Sequence, residues 1–330
     1  MTSTITISTD YLAALEGAVF IIRPEQGYLR ISGADRLDFI NRQTTNDIHL
    51  LSPERSVTTV LTTPTARMQD VLTLVDGGDT FGVITLAGHA AATTQSLQEK
   101  VFFMDKVAVN DASDQVVQID LDGPEAETLL RKMGVDVTPN QDAVTTADFA
   151  GSRLTVISRK GFAGPGYRLV ASIEIADMLQ AALVKVGFVP LTKESSEVLR
   201  IEAGFPASDS ELSEDYNPLE AGLDAAVSQS KGCYTGQEII ARQITYDKVT
   251  KRLVGLRLQK LVESGSQVEV EGKTVGTVTS VADSPRFGPI ALAYLKRPHF
   301  QPGNPVSVVS PTADSVLAAV VTIPFEVNAV

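Results

Sequence analysis

The segment from Lys231 to Arg242 combines the most residues that could do chemistry, and it reads KGCYTGQEIIAR. Thr235 and Glu238 have the spacing of a capping box, which predicts a helix that begins here with Cys233 just ahead of it. A thiolate is stabilised near a helix N-terminus and beside a cation such as Lys231. Two interpretations stay open: a reactive or ligand-binding thiol, or a buried Cys that packs as a small hydrophobic side chain.

Two carboxylates are also candidate functional groups because of their positions in the predicted helices and loops. Glu202 falls in the last turn of a helix predicted over about Lys193–Ala203, where the partial negative charge of the helix end disfavours a carboxylate. Another group could use this carboxylate, or it could be an ordinary solvated residue. Asp70 closes the segment Thr63–Asp70, a predicted loop between two strands that is equally consistent with a plain hairpin connection.

The cysteine and histidine counts exclude several kinds of site. The chain has one cysteine, so an internal disulfide and a cysteine-rich zinc site are excluded. An iron–sulfur cluster usually takes four thiolates, and the missing ones would come from a partner or a second subunit. The three histidines, His49, His89 and His299, are scattered without metal-ligand spacing. We therefore predict no resident metal.

Composition and charge narrow the functional classes. The 330 residues are 43% hydrophobic, which is enough for a sizeable core, and no run approaches the roughly 18–20 apolar residues of a membrane span. The net charge of −12 opposes direct binding of nucleic acid. The N-terminus lacks the basic start and apolar stretch of a signal peptide. We predict a cytoplasmic protein without membrane or direct nucleic-acid contacts.

An internal echo, a strand–turn–helix pattern that occurs twice in the sequence, suggests a duplication. Gly33 and Gly123 each follow a strand pattern and precede a predicted helix with acids in its first turn. The echo extends to paired strands and helices: Val57–Leu61 with Leu154–Ser158, Val71–Val75 with Tyr167–Ala171, and helices over about Gly88–Lys100 and Glu174–Val186. It predicts two related α+β lobes, and the alternative is coincidence of a common strand–turn–helix pattern.

After about residue 247 the chain changes to short strands separated by turn signals. Five strands are predicted: Leu253–Leu258, Gln267–Val270, Thr274–Ser280, Ile290–Leu295 and Val306–Val309. This spacing is typical of a small all-β barrel or sandwich. We predict a two-lobed α+β region over 1–246, with lobes of roughly 1–115 and 116–246, and a C-terminal β-barrel over 247–330.

Four segments in sequence order carry a resemblance to a known family: Thr63–Asp70, Arg200–Pro206, Asn217–Leu223 and Lys231–Glu238. Over nearly its whole length the chain resembles the glycine-cleavage T-protein (aminomethyltransferase) superfamily. The octapeptide KGCYTGQE matches the YgfZ branch, folate-binding proteins implicated in iron–sulfur cluster maintenance and tRNA modification. The resemblance implies two related α/β lobes that exchange segments and a C-terminal β-barrel, arranged around a central folate channel.

The resemblance also implies roles for individual residues. Glu202 stands where the family's carboxylate binds the pterin of tetrahydrofolate, and Lys231 stands near an Arg that the transferases keep beside the ligand. Asp70 falls in the loop whose acid assists transfer at the folate N5, although this loop lacks the glycines and paired acids usual there. The other candidate cofactor-binding residues are Arg200, Tyr234, Gln237, Glu238 and Arg242, and the candidate catalytic residues are Cys233 and Asp70.

Three functions follow from these expectations. In the first, the chain binds tetrahydrofolate and uses Cys233 to support assembly or repair of iron–sulfur proteins, with assembly or client proteins as partners. In the second, it is a folate-dependent aminomethyl or other one-carbon transferase in which Asp70 orients N5. In the third, it is an interaction protein with an empty pocket. The KGCYTGQE segment favours the first, because aminomethyl transfer needs no thiol.

Overall fold

The chain forms two compact units in a computed structural model that describes residues 7–309 and 315–326. The sandwich unit comprises Thr9–Thr192 and Ala225–Gln237. The barrel unit comprises the described residues of 1–8, 193–224 and 238–330. The chain therefore leaves the sandwich unit at residue 193 and returns to it for the segment 225–237.

Seven α-helices and seventeen strands lie in the described residues. The helices are α1 (Thr9–Glu16), α2 (Arg36–Gln43), α3 (Ala90–Gln98), α4 (Ala126–Lys132), α5 (Ala176–Val186), α6 (Lys193–Glu202) and α7 (Gln237–Thr245). The strands of the sandwich unit are β1 (Val19–Ile22), β2 (Gln26–Ser32), β3 (Val57–Thr62), β4 (Met68–Asp76), β5 (Thr80–Ala87), β6 (Ala108–Asp111), β7 (Val116–Asp122), β8 (Val144–Phe149), β9 (Ser152–Lys160), β10 (Pro165–Ser172) and β11 (Val189–Pro190). The strands of the barrel unit are β12 (Lys251–Leu258), β13 (Gln267–Val270), β14 (Lys273–Ser284), β15 (Gly288–Lys296), β16 (Pro305–Val309) and β17 (Val316–Val321).

The sandwich unit consists of two sheets packed face to face with helices on both outer faces. Strands such as β5 and β7 have buried side chains at successive positions, which point to opposite faces, so each sheet is covered on both faces. Phe39 of α2 joins the core outside the first sheet, and Leu183 of α5 joins the core outside the second. A smaller apolar cluster, which includes Val75 and Ile157, joins the inner faces.

The two sheets repeat one strand order, which confirms the duplicated α+β lobes. The first sheet runs β3-β4-β5-β2-β6, and the second runs β8-β9-β10-β7-β1 with β11 beyond β1. Strand β1 precedes the first lobe in sequence, yet it occupies in the second sheet the place of β6 in the first. The lobes therefore exchange a segment, as the family resemblance implies.

The repeated turn explains why both lobes have a glycine after the central strand. Gly33 and Gly123 have φ of +106° and +121°, which side-chain-bearing residues rarely adopt. A Cβ would lie 1.9 Å from the carbonyl oxygen of Lys106 or 2.4 Å from that of Gly17. The residue two positions after each glycine donates its backbone N–H to the same carbonyl, at 3.3 and 3.0 Å. Each turn thus closes against the chain that enters β6 in the first sheet or β1 in the second.

The strand equivalences predicted from the echo are wrong by one strand. Val57–Leu61 lies in β3, whose counterpart is β8, whereas Leu154–Ser158 lies in β9. Likewise Val71–Val75 lies in β4 and Tyr167–Ala171 in β10. The sequence pattern does not predict six of the strands: β1, β5, β6, β8, β11 and β17. Strand β8 reads VTTADF with alternating exposed polar side chains, so it gives little apolar signal.

The barrel unit is closed by six strands in the order β12-β15-β14-β13-β16-β17. The five predicted strands fall within β12 to β16, and β17 closes the barrel against β12. Inward side chains such as Leu256, Val278 and Ala293 fill the interior. Helix α6 packs on β14 and β15, so 193–224 belongs with the barrel. The domain boundary at 246/247 stays a prediction. Along the described residues, no helix has the length and hydropathy to cross a bilayer.

Candidate functional site

Lys231 anchors the loop that carries Cys233. Its ammonium group donates hydrogen bonds to the backbone carbonyls of Asn41, Thr44 and Asn46, the last two at 2.7 Å. Burial lowers the pKa of Lys231 to about 8. The three N–H donors of the ammonium thus hold the loop against the segment that follows α2, and any ligand of Lys231 would compete with these carbonyls. Its role in cofactor binding stays a prediction.

Further hydrogen bonds fix both ends of the segment 225–237 to the first lobe. The Thr45 hydroxyl donates to the carbonyl of Ala226 at 2.6 Å, and the Thr45 carbonyl accepts from the N–H of Ser228 at 3.0 Å. Near the other end, the Thr62 hydroxyl donates to the carbonyl of Thr235 at 2.6 Å. These contacts join residues more than 170 positions apart in sequence, so sequence reasoning missed them.

Cys233 is exposed, so the interpretation of a buried, inert cysteine is wrong. The next residue, Tyr234, is buried, and its ring centroid lies 5.3 Å from the Lys231 Nζ. Burial raises the pKa of Tyr234 to about 12. The loop therefore turns its aromatic side chain inward over the anchoring lysine and leaves the thiol at the surface.

Helix α7 begins at Gln237, two residues after the predicted capping residue Thr235. Gln237 is partly buried, whereas Glu238 in the first turn and Arg242 in the last turn are exposed. Cys233 consequently lies four positions before the helix. The roles of these three helix residues in cofactor binding stay predictions.

Asp70 lies buried inside the first lobe. Its carboxylate accepts a hydrogen bond from the N–H of Leu86 at 2.8 Å and one from the Thr93 hydroxyl at 2.5 Å. Burial raises the pKa of Asp70 to about 6, although these two donors and the nearby His89 act in the opposite direction. Both carboxylate oxygens thus tie β4 to β5 and α3. A role at a folate N5 would need this side chain to leave that packing.

Glu202, the last residue of α6, is buried and paired with Arg286. The Ser284 hydroxyl donates to Oε1 at 2.5 Å, and Arg286 donates to Oε2 from Nε at 3.0 Å and also from Nη2. The guanidinium compensates the unfavourable position of a carboxylate at a helix end. Sequence reasoning missed Ser284 and Arg286, because no pattern connects them to a helix more than 80 residues earlier.

Arg200 also connects α6 to β14. Its guanidinium pairs with Glu197 at 2.6 Å and donates to the Ser280 hydroxyl at 2.7 Å and to the carbonyl of Phe205 at 3.1 Å. A weaker contact of 3.4 Å reaches the buried Glu211. Arg200 therefore connects α6 to β14, and its predicted role at a cofactor is untested.

The predicted site residues fall in both units. Asp70, Lys231, Cys233, Tyr234 and Gln237 belong to the sandwich unit. Arg200, Glu202, Glu238 and Arg242 belong to the barrel unit. The sandwich unit offers the accessible thiol of Cys233 on an anchored loop. The barrel unit offers the buried carboxylate of Glu202, which already accepts hydrogen bonds from two N–H groups of Arg286. Among the described residues, no three His, Cys, Asp or Glu side chains group as metal ligands.

Comparison with known proteins matches both units. The GCVT N-terminal domain family covers residues 17–231, and the glycine cleavage T-protein C-terminal barrel domain family covers residues 251–325. A chloroplastic "putative transferase" of Arabidopsis thaliana is 33% identical over 295 residues, which are 88% of this chain and 68% of that protein. The aminomethyltransferase of Bacillus subtilis is 28% identical over 274 residues, which are 79% and 75% of the two chains.

The fold also matches a solved structure. The crystal structure of the glycine cleavage system aminomethyltransferase T from Bartonella henselae superposes with a TM-score of 0.85, covering 96% of this chain and 89% of that one. The sequence identity is 20%, so this likeness concerns the fold. With family matches over both its two-lobed region and its barrel, the chain belongs to the glycine-cleavage T-protein superfamily.

Proposed function

We propose that this chain is a tetrahydrofolate-binding protein that supports the assembly or repair of iron–sulfur clusters. The observation that carries the proposal is the exposed thiol of Cys233 on a loop that Lys231 holds in place. A thiol can serve as an iron ligand or exchange partner only where another protein reaches it. Membership of a folate-binding superfamily supports the folate part of the proposal.

Cys233 would act together with a partner protein. It is the chain's single cysteine, and a cluster usually takes four thiolates. The cluster is cargo here, so the client or assembly protein supplies the other ligands. Anchoring the loop lowers the entropy lost when the thiol meets that partner. The tRNA modification connected with the YgfZ branch would then depend on client enzymes, without direct RNA contact by this acidic chain.

Glu202 is the residue that we expect to bind the pterin. An ionised carboxylate accepts two parallel hydrogen bonds from neighbouring N–H groups, such as the 2-amino group and ring N–H of a pterin. Arg286 now presents two such N–H groups to Oε2 of Glu202. The carboxylate therefore already accepts N–H donors of the kind that a pterin offers, and folate binding requires Arg286 to move aside.

Aminomethyl or other one-carbon transfer is the second candidate. The relative from Bacillus subtilis is named an aminomethyltransferase, and burial raises the pKa of Asp70 to about 6, near the range useful in acid–base catalysis. Against it, Asp70 is fully buried with both oxygens engaged. We therefore rank this function second.

Calorimetric titration with tetrahydrofolate tests the folate site. We expect saturable binding by the wild type and at least about tenfold weaker binding by Glu202→Gln, because charge-assisted hydrogen bonds are lost. Glu194→Gln, an exposed change on the same helix, is the matched control. Arg286→Gln should bind folate at least as tightly as the wild type. No binding by the wild type would remove both folate functions, and an unchanged affinity of Glu202→Gln would remove the pterin assignment.

Complementation of a deletion strain separates the two candidates. We expect Cys233→Ala to fold and bind folate as the wild type does, but to leave the activity of iron–sulfur enzymes in extracts as low as in the deletion strain. Ser230→Ala, an exposed change in the same loop, is the control. If Cys233→Ala complements fully and Asp70→Asn does not, one-carbon transfer is the better account.

A fluorescent fusion would test the cytoplasmic location, since the Arabidopsis thaliana relative is named chloroplastic.

A further inference from the structure

A cleft of about 560 Å³ opens between the two sheets of the sandwich unit. Small-molecule sites usually fall between roughly 300 and 1,000 Å³. The cleft is lined by β2, the β4–β5 turn, the start of β7, and parts of β9 and β10. None of the residues predicted for folate or thiol chemistry lines it. Its chemistry is therefore independent of the proposed function.

Two arginines enter this cleft, one from each sheet. Arg30 of β2 donates one hydrogen bond to the side chain of Gln115 at 2.6 Å. Arg153 of β9 makes two long contacts, 3.5 Å to the carbonyl of Gly77 and 3.4 Å to the hydroxyl of Thr146. Neither guanidinium forms an ion pair with a carboxylate of the described residues. Most of their N–H donors are thus available to a ligand.

Apolar side chains form the floor of the cleft. Val75 and Val170 are buried and pack together with Tyr28 and Val116 where the sheets meet. Burial raises the pKa of the Tyr28 phenol, while the charges of both arginines lower it. Tyr28 and both arginines line the same cleft, so the two guanidinium groups lie near one phenol and the apolar side chains beside it.

Three carboxylates also line the cleft: Asp76, Asp114 and Glu174. The carboxylates would repel a ligand with only a negative charge, and the two arginines would repel a ligand with only a positive charge. A ligand that carries both charges can pair with the arginines and with the carboxylates. An α-amino acid has a carboxylate for bidentate guanidinium binding and an ammonium for the acids. An apolar side chain would complement the valine floor.

We propose that this cleft is a binding site for a free α-amino acid with an apolar side chain, held by Arg30 and Arg153 through its carboxylate. NMR titration of the full chain with three related probes tests the site. L-phenylalanine has both charges, 3-phenylpropionate lacks the ammonium and 2-phenylethylamine lacks the carboxylate. We expect saturable shifts of amides around the cleft with L-phenylalanine at up to about 20 mM, and at least about tenfold weaker binding of the other two probes.

Variants localise the binding. Arg30→Gln and Arg153→Gln should each weaken L-phenylalanine binding at least about tenfold, whereas Arg131→Gln, an exposed arginine of α4, should leave it unchanged. Three results would overturn the proposal: no saturable shift with L-phenylalanine, equal affinity for 3-phenylpropionate, or unchanged binding by both cleft variants. The comparison of probes uses only the wild type, so it decides the question even if a variant fails to fold.

Discussion

The two lobes of the sandwich unit share one strand order but carry different polar groups. The first lobe binds the segment 225–237 through Lys231 and leaves Cys233 exposed. The second lobe instead contains a buried cluster of ions centred on Asp120. A duplication can therefore preserve the apolar core of a lobe while its polar positions take separate roles.

The ion cluster shows how the second lobe stabilises buried charge. Asp120 contacts Arg168 at 2.7 Å and Arg23 at 2.9 Å, and Arg159 lies 3.6 Å away. Burial alone would raise the pKa of Asp120, but the three guanidinium groups outweigh it and hold this pKa well below the usual range. In the first lobe, Asp70 accepts hydrogen bonds from the Thr93 hydroxyl and from backbone N–H groups but contacts no guanidinium of the described residues, and burial raises its pKa. Buried carboxylates of the sandwich unit are thus ionised to different degrees, since burial also raises the pKa of Asp122 in the second lobe to about 6.

The largest effect should come from removing the centre of the ion cluster. Asp120→Ala leaves three guanidinium groups without their shared carboxylate, and it should lower the free energy of unfolding by about 4 kcal/mol. Urea denaturation measures this loss, with the exposed Asp136→Ala as control. A loss below about 1 kcal/mol would mean that the cluster is solvated and that the contrast between the lobes is small.

The paired glycines test whether the lobes are structurally equivalent. Gly33→Ala and Gly123→Ala combine a positive φ with a Cβ that meets a backbone carbonyl, so each should lower the free energy of unfolding by about 3 kcal/mol. Gly33→Ala should lower the free energy of unfolding more than Gly123→Ala, because its added Cβ would lie 1.9 Å rather than 2.4 Å from a carbonyl oxygen. Gly78→Ala, with φ of +90° and open space, is the control and should cost about 1 kcal/mol. Equal effects at Gly33 and Gly78 would refute the close-approach argument.

The smallest effect concerns the pH dependence of the first lobe. With a pKa of about 6, folded Asp70 binds a proton that the unfolded chain releases near pH 4, so its contribution favours folding at low pH and is lost as the pH rises to about 6. Asp70→Asn should therefore gain about 2 kcal/mol relative to the wild type between about pH 4 and pH 7. Denaturation across this range measures the difference. A parallel pH profile for wild type and variant would contradict it, and the exposed Asp38→Asn serves as the control.

Local sequence patterns predicted much of the fold. The glycines at the repeated turn, the helix over Lys193–Glu202 and the strand Gln267–Val270 follow from steric limits and apolar periodicity, which act over a few residues. The four motif segments in sequence order indicated the superfamily, whereas the YgfZ branch suggested by KGCYTGQE stays a prediction. The sequence left the exposure of Cys233 open, because thiol reactivity and hydrophobic packing favour the same residue type.

The sequence by itself therefore determined most of the helices, the strands of strong apolar pattern and the turns that need glycine. Only the tertiary structure decided that β1 completes the second sheet, that Lys231 binds three carbonyls of the first lobe, and that Arg286 neutralises Glu202. These contacts join residues about 80 to 190 positions apart, and their geometry follows from how whole sheets and barrels pack. No local pattern encodes such partners, because a polar side chain can hydrogen-bond to water in the unfolded chain. It needs a particular protein partner only once folding has buried it.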